Sequence, residues 1–312
     1  MRNLTLRQIK IFLSATKHMS FSRAAEELHI SAPAVSLQIK EMEVDMGISL
    51  FTRDKRKIEL TSAGEYFLLY ARRISSTLNE ASTMMERLRG TQIKELKIGV
   101  VSTAKYFLPA MLVDFKKDYP NMKIKIEARN RLQLVELLRD GEIDIAIMGQ
   151  PPKDIDTRVE AFASHPHVFI ASPSNKLASL SNIPPSALNQ FEIISREPGS
   201  GTRYIMERYF AEHKLSPIVS MEISSNETIK QAVIANLGIS LVSLHTIRSE
   251  ISNKQIAILD VQNTPIMRAW HVVALNKRNA SQAAEAFRYF MLEKASGILN
   301  EMFQHTHANS AS

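Results

Sequence analysis

Along the first ninety positions apolar residues recur at helical spacing; past residue 94 they gather into short continuous runs. In TLRQIKIFLSATKH, Leu6, Ile9, Phe12, Leu13 and Ala15 fall close to one side of a helix. After a break at Met19 and Ser20, SRAAEELHI reads as a short helix with Ala24, Ala25 and Leu28 inward. Ser31 then offers a cap for a new helix, Pro33 suits its first turn, and Val35, Ile39 and Met42 form a core stripe up to Gly47. Two short helices joined so tightly, the first with small alanines, predict a helix-turn-helix. In SLFTRDKRKIELTSAG, Leu50, Phe51, Ile58 and Leu60 flank a charged tip, which predicts a two-stranded wing. From Ser62 to Arg89 the residues Phe67, Ala71, Ile74, Leu78, Ala81, Met85 and Leu88 keep the alternating spacing of a coiled-coil seam, although such a stripe can also lie on its own protein's core.

Beyond residue 94 the pattern changes class. ELKIGVV, MKIKIEA and IDIAIMG read as strands, with helical segments STAKYFLPAMLVDFKKDYP and LQLVELLRDG between them. The alternation restarts with HVFIASP, FEIISREPGSGT, RYIMERYFAEH, VSMEISS, ETIKQAVIANLG and ISLVSL. MRAWHVVALNK and a closing helix, QAAEAFRYFMLEKA, follow. Strands too apolar to have one wet face predict α/β units on mainly parallel sheets, arranged as two lobes with a ligand between them.

Charge assigns roles to the two regions. The formal charge is +7, and the first 94 residues, with 15 Lys/Arg against 10 Asp/Glu, carry +5 of it. A basic N-terminal module implies an anionic polymer as its partner. On the third helix Pro33, Ser36, Leu37 and Lys40 point away from the core stripe, flanked by Ala34 and Gln38. Those groups can hydrogen-bond base edges in a major groove and touch thymine methyls. With Ser22 and Arg23 at the second helix, Ser31 at the cap, and Arg53, Lys55 and Lys57 on the wing, they form the candidate DNA-binding set.

The sequence has no cysteine, which removes disulfides and thiolate chemistry, and its nine histidines are scattered. The close pairs HPH at 165–167 and HTH at 305–307 lack helical metal-binding spacing and read as ordinary polar residues. No metal or cofactor is expected. No apolar run is long enough to span a bilayer and the N-terminus lacks a signal-peptide pattern, so the expected address is the cytoplasm, away from membranes.

In open α/β lobes ligands lie outside the carboxyl ends of strands, against helix amino ends. Those positions hold Ser102, Thr103, Asn130, Ser225 and Asn226, together with the turn Arg196-Glu-Pro-Gly199-Ser200-Gly201-Thr202-Arg203. Each polar residue taken singly could be a helix cap. In the turn, two glycines expose amides, two hydroxyls stand at a helix start, and Arg196 or Arg203 can add charge, a set suited to phosphate or carboxylate. The turn lacks the GK[ST] ending of a nucleotide-hydrolysing loop. An enzyme with an appended DNA-binding module is the competing class, but no Ser-His-Asp order, carboxylate pair or metal motif emerges. A periplasmic-type solute carrier leaves the first ninety residues unexplained.

The run SFSRAAEELHISAPAVSLQIKEMEVDMGISLFTRDKRKIELTSAGEYFLLYA resembles the N-terminal domain of LysR-type transcriptional regulators, and the resemblance continues along the whole chain. The family's recognition-helix core, Pro-Ala-x-Ser-x-Gln-Ile, is met here by Pro33, Ala34, Ser36, Gln38 and Ile39; a common variant has glutamine where this chain has Ala32. VVSTAKYFLP, AIMGQPP, REPGSGTR and SSNETIKQAVIANLGISLVSLHT together resemble the subgroup controlling Calvin-cycle operons, including those for RuBisCO. The resemblance implies an all-α winged helix-turn-helix over 1–61 and a dimerising linker helix over 62–90. It further implies a C-terminal α/β effector domain over 91–302 made of two Rossmann-like, periplasmic-binding-protein-like lobes, about 95–157 with 267–302 and about 158–266. The crossings would fall near Pro151–Arg158 and Asn263–Met267, and the tail 303–312 is expected to be disordered. The implied partners are double-stranded promoter DNA with a palindromic site, a small anionic metabolite of phosphorylated type, and RNA polymerase. The implied assembly is a homodimer through the linker helix, doubled to a homotetramer.

Overall fold

The computed structural model describes residues 4–54, 57–88, 95–276 and 281–308, which divide into one compact unit up to Gln92 and another from Ile93 onward. In the first unit, α1 (Leu6–His18), α2 (Phe21–Leu28) and α3 (Ala32–Met46) precede a hairpin of β1 (Phe51–Asp54) and β2 (Lys57–Leu60), then α4 (Ser62–Leu88). Each of the first three helices starts on a side-chain cap, Thr5, Ser20 and Ser31, and ends on a left-handed residue, Met19, His29 and Gly47. These caps set the short turns between helices. The core is built on Phe12, packed at 5.4 Å from Phe51 and 4.8 Å from Phe67, with Ile9, Ala24, Ala25, Val35, Ile39, Met42 and Ala71 around it. Each large apolar side chain so buried contributes about 1.5–3 kcal/mol. Glu27 ties α1 to α2 by accepting from Ser14 at 2.5 Å and Lys17 at 2.6 Å. Burial pushes its carboxyl up, but Lys17, Ser14 and His18 outweigh that and hold it at about 2.

One expectation for α4 needs correction. Phe67 and Ala71 belong to the core of the winged unit, at 8% and 0% exposure, so they are not open for an intermolecular seam. Ile74, Leu78, Ala81 and Met85 are exposed. The helix is longer than the domain beneath it: its apolar stripe through Ala71 packs on that domain, and the described stripe residues beyond it do not. The side chain of Leu88 lies outside the described residues.

The second unit runs β3 (Glu95–Val101), α5 (Leu108–Asp118), β4 (Lys123–Arg129), α6 (Arg131–Arg139), β5 (Ile145–Met148) and the long β6 (Thr157–Ala171). It continues with β7 (Ile193–Arg196), α7 (Gly201–Glu212), β8 (Val219–Ile223), α8 (Asn226–Ile234), β9 (Ser240–Ser243), α9 (Arg248–Ser252), β10 (Ala257–Ile258), β11 (Ile266–Leu275) and α10 (Gln282–Ala308). Strands β4, β3 and β5 are parallel, as the apolar runs predict. β11 and β6 join antiparallel and pair from Leu275 opposite Thr157 to Ile266 opposite His167. They carry one mixed sheet through both lobes, where β6 meets β9 and β10. A separate parallel pair, β7 and β8, completes the second lobe.

The passage between lobes therefore lies farther along β6 than Pro151–Arg158. Thr157–Ala161 still pair β11 within the first lobe's sheet, and Phe162 packs in that lobe's core with Trp270 and Phe107. The second lobe's pairing resumes at His167, opposite Ser243. The tail also departs from expectation. α10 runs to Ala308, and Phe303 is buried against His245, ring centroids 4.5 Å apart, because the first lobe's core extends over that turn; residues 309–312 lie outside the described set.

Candidate functional site

In the winged unit the face of α3 opposite Val35, Ile39 and Met42 presents Pro33, Leu37 and Lys40 as exposed, with Ala34, Ser36 and Gln38 half-buried beside them. Leu37 is 56% exposed, on the side of the helix away from the buried Val35, Ile39 and Met42. Ser31 receives the amide of Ala34, and Gln38 donates to Glu41 at 2.7 Å. Ser22 and Arg23 are exposed at the start of α2. The side chains of Arg53 and Lys57, and Lys55 altogether, lie outside the described residues. The wing itself is anchored by Glu43, which accepts from the amides of Leu50 and Phe51 at 2.8 and 3.1 Å.

The second unit holds a cleft of about 430 Å³, its open mouth included. It is lined at the carboxyl ends of β3, β4, β5 and β7 and at the amino end of α7, where sheet geometry leaves backbone groups free to meet a ligand. Ser102, Thr103, Asn130, Arg196, Ser200, Gly201 and Thr202 line it, seven of the sequence-predicted residues brought together from four elements. Ser200 occupies the cap position of α7 without a side-chain capping bond, and Thr103 likewise makes none, so these hydroxyls are not committed to their helices.

The other four predicted residues stand elsewhere. Arg203 turns outward along α7, bonding Glu207 at 2.7 Å and Glu222 at 2.5 Å, and it steadies the turn through the carbonyl of Arg196 at 3.1 Å. Helical spacing puts position 203 on the opposite side of the helix from the cleft. Gly199, at φ 84°, faces Leu132 of the first lobe; a Cβ there would lie 2.7 Å from Leu132 Cδ1. Ser225 caps α8 through the amide of Thr228. Asn226 is buried and accepts from Arg196 Nη1 at 2.5 Å, which makes it a support for the cleft wall.

Arg196 is thus the cleft arginine of the turn, 4% exposed, and it bridges the lobes. Nη2 donates to Ser102 Oγ at 3.2 Å, while Nε and Nη2 donate to the two carboxylate oxygens of Glu197 at 2.8 and 3.0 Å. Glu197 balances much of that charge. Arg131, which the sequence reading missed, donates only to the carbonyls of Gln150 and Pro151, at 2.9 and 3.2 Å, and no carboxylate among the described residues pairs with it. It supplies the cleft's uncompensated positive charge. A signal existed in its place one residue after the Asn130 cap, at the end of a strand. Also missed were Gly149, Gln150, His165 and His167, which form the wall where the lobes join.

The histidine wall belongs to a buried cluster. The His165 ring lies on Trp270 with centroids 3.7 Å apart and planes 14° from parallel, and 4.2 Å from the His167 ring. Trp270 Nε1 donates to His245 Nδ1 at 3.0 Å. Burial, reinforced by the neighbouring histidines, pushes His165 well below the ordinary imidazole range and brings His167 down to about 3. Among the described residues no three His, Cys, Asp or Glu are arranged to hold a metal ion. No helix of the described residues is long and apolar enough to cross a membrane.

Outside the cleft mouth, Tyr106 of the first lobe donates to Glu227 at the start of α8 in the second. Burial and Glu227 together raise the Tyr106 hydroxyl above its ordinary range. Behind it Lys230, 4% exposed in its side chain, bonds Glu250 at 2.7 Å and Glu227 at 3.0 Å.

Comparison with known proteins agrees with this geometry. Residues 6–65 match the bacterial regulatory helix-turn-helix protein, lysR family, and residues 89–296 match the LysR substrate binding domain. The chain is 41% identical over 303 residues to the HTH-type transcriptional regulator CfxR of Cupriavidus necator, covering 97% of this chain and 96% of that protein. It is 39% identical over 293 residues to the RuBisCO operon transcriptional regulator of Allochromatium vinosum, covering 94% and 97%. Among solved structures, the regulatory domain of Synechocystis PCC6803 CcmR in complex with 2-PG aligns at a TM-score of 0.62 and 37% identity, over 64% of this chain and 95% of that one. These relatives are regulators rather than enzymes. A capped helix-turn-helix with a wing, followed by a two-lobed sheet domain and matched over nearly its whole length, places this chain in the LysR family of transcriptional regulators.

Proposed function

We propose that this regulator controls an operon for carbon dioxide fixation, reading a palindromic site with its winged unit and a small anionic metabolite with its cleft. The observation that carries the anion reading is Arg131, with no carboxylate partner among the described residues, lining one cleft with uncommitted hydroxyls and the amino end of α7. The names of the relatives support the operon, and the 2-PG bound to the CcmR domain supports a small ligand in the equivalent domain. In this reading residues 1–61 hold DNA, 62–90 dimerise through Ile74, Leu78, Ala81 and Met85, and 91–302 sense the effector. Two such helices give the two-fold symmetry that a palindromic operator needs.

Lobe-to-lobe bonds are the means of response. Arg196 to Ser102 and Tyr106 to Glu227 both run from one lobe to the other, so a ligand that binds one lobe arrangement better shifts the population toward it. DNA-bound dimers feel that shift through the linker helix.

Two measurements test the proposal. The full-length protein is expected to melt at higher temperature with inorganic phosphate or 3-phosphoglycerate, and the shift is expected to vanish in Arg131→Gln/Arg196→Gln. Stabilisation by no anion, or an undiminished shift in the double variant, would remove the anion reading. In mobility-shift titrations, DNA upstream of a RuBisCO operon is expected to bind more tightly than an unrelated promoter, with affinity falling steeply as salt rises. Equal affinity for both fragments would remove the operon assignment.

A further inference from the structure

We infer that the cleft selects an anion that also carries a hydroxyl or other hydrogen-bond donor, and that His167 Nε2 is the acceptor that reads it. The inference rests on the anion reading of the cleft and adds a second, opposite demand on the ligand. His167 is 1% exposed, lines the cleft, and sits where β6 passes from β11 to β9. Its Nδ1 lies 3.2 Å from the backbone carbonyl of His165. A carbonyl oxygen only accepts, so Nδ1 carries the ring's proton. The environment keeps the ring neutral: burial, His245 and Arg268 all disfavour a second proton and outweigh the His165 carbonyl. Nε2 is therefore a bare lone pair.

That lone pair has no hydrogen-bond partner among the described residues. Buried polar atoms are nearly always paired, and an unpaired one is destabilising. Most of the remaining wall can donate: the guanidinium groups of Arg131 and Arg196, the α7 amides, and the hydroxyls of Ser102, Thr103, Ser200 and Thr202, which like the amides of Asn130 and Gln150 can also accept. Such a wall suits an acceptor-only anion at one end of the ligand. The same anion pressed on Nε2 would set lone pair against lone pair, so the end that meets His167 must donate. His165 Nδ1 is also unpartnered and also lines the cleft, while its Nε2 lies 3.0 Å from the Ser243 hydroxyl, which can donate or accept. His165 can thus adopt either tautomer, whereas His167 cannot. Gly149 leaves His165 Nδ1 uncovered, since a Cβ there would come within 2.7 Å of it.

The test uses matched ligands that differ by one hydroxyl, titrated calorimetrically into the full-length protein. The pairs are 3-phosphoglycerate with 3-phosphonooxypropionate, and ribose 5-phosphate with 2-deoxyribose 5-phosphate. Sulfate, which carries no protonated oxygen at neutral pH, is the hydroxyl-free reference. In at least one pair the hydroxylated member is expected to bind about five- to tenfold more tightly, the size of one neutral hydrogen bond to a buried acceptor. His167→Asn keeps an amide donor for the His165 carbonyl but removes the distal acceptor, so the preference is expected to disappear. His167→Gln, whose amide reaches the Nε2 position, is expected to restore part of it. Equal binding of both members in both pairs, or a preference that survives in His167→Asn, overturns the inference and leaves the anion reading standing. Failure of every anion to bind overturns both.

Discussion

Lowering the pH from 7 to 5 is expected to weaken the sensing domain by about 2 kcal/mol through His167 alone. Its ring is neutral in the folded domain because burial depresses its pKa to about 3, while an imidazole in the unfolded chain titrates near its ordinary value of 6.5. A depressed imidazole contributes stability that is complete above the unfolded value and is lost as pH falls toward the folded one. The window therefore opens near pH 6.5 and extends to about 3. Each pH unit inside it is worth about 1.4 kcal/mol, so the 1.5 units between 6.5 and 5 yield roughly 2. His165, shifted the same way by burial and by His167, His245 and His271, adds to the loss. Trp270 is the chain's single tryptophan and stacks on His165, which makes its fluorescence a local reporter for urea unfolding of this domain. The extrapolated stability is expected to fall between pH 7 and 5 in the wild type and to fall less in His165→Gln/His167→Gln, whatever the variant's own starting stability. An identical loss in the double variant would refute the assignment of this pH dependence to the histidine wall.

Three further outcomes test other parts of the structure. Gly64→Ala places a Cβ 2.1 Å from the Leu50 carbonyl oxygen, where α4 crosses the start of the wing, so the winged unit is expected to lose several kcal/mol and operator binding with it, measured by circular dichroism melting and mobility shift. Leu78→Asp introduces charge at an exposed position of α4 and is expected to dissociate dimers in sedimentation velocity without unfolding the chain; an unchanged sedimentation coefficient would rule the linker stripe out as the interface. Lys230→Met leaves the buried Glu250 carboxylate without its cation and is expected to destabilise the second lobe by about 3–5 kcal/mol, read by urea titration.

The local architecture was legible because its causes are local. Caps at Ser20 and Ser31, the stop at Gly47 and the stripe Val35, Ile39, Met42 are encoded within a few residues of where they act. Strand runs such as IDIAIMG are continuous because both faces of the sheet are covered, which is visible without knowing what covers them. The crossing of the lobes was harder to read. β6 and β11 form one long antiparallel pair, and no signal in either strand alone marks where the pairing of β11 with β5 gives way to the pairing of β6 with β9.

What the sequence by itself determined, then, is the class of the chain: a capped helix-turn-helix with a wing, a long amphipathic helix, and two α/β lobes with polar turns at the strand ends. Only the tertiary structure decided which groups of those turns face the cleft. Arg196 and Arg203 stand in one short motif, but the strand ending at Arg196 aims its side chain across to Ser102, while the turn of α7 aims Arg203 at Glu207 and Glu222. Phe67 and Ile74 share one stripe, but one is covered by the winged core and the other is not. His165 and His167 lie two apart on a strand and so share a face, and that face became part of the site only when β6 was threaded between the lobes. Spacing sets which side chains travel together; long-range pairing sets what they meet.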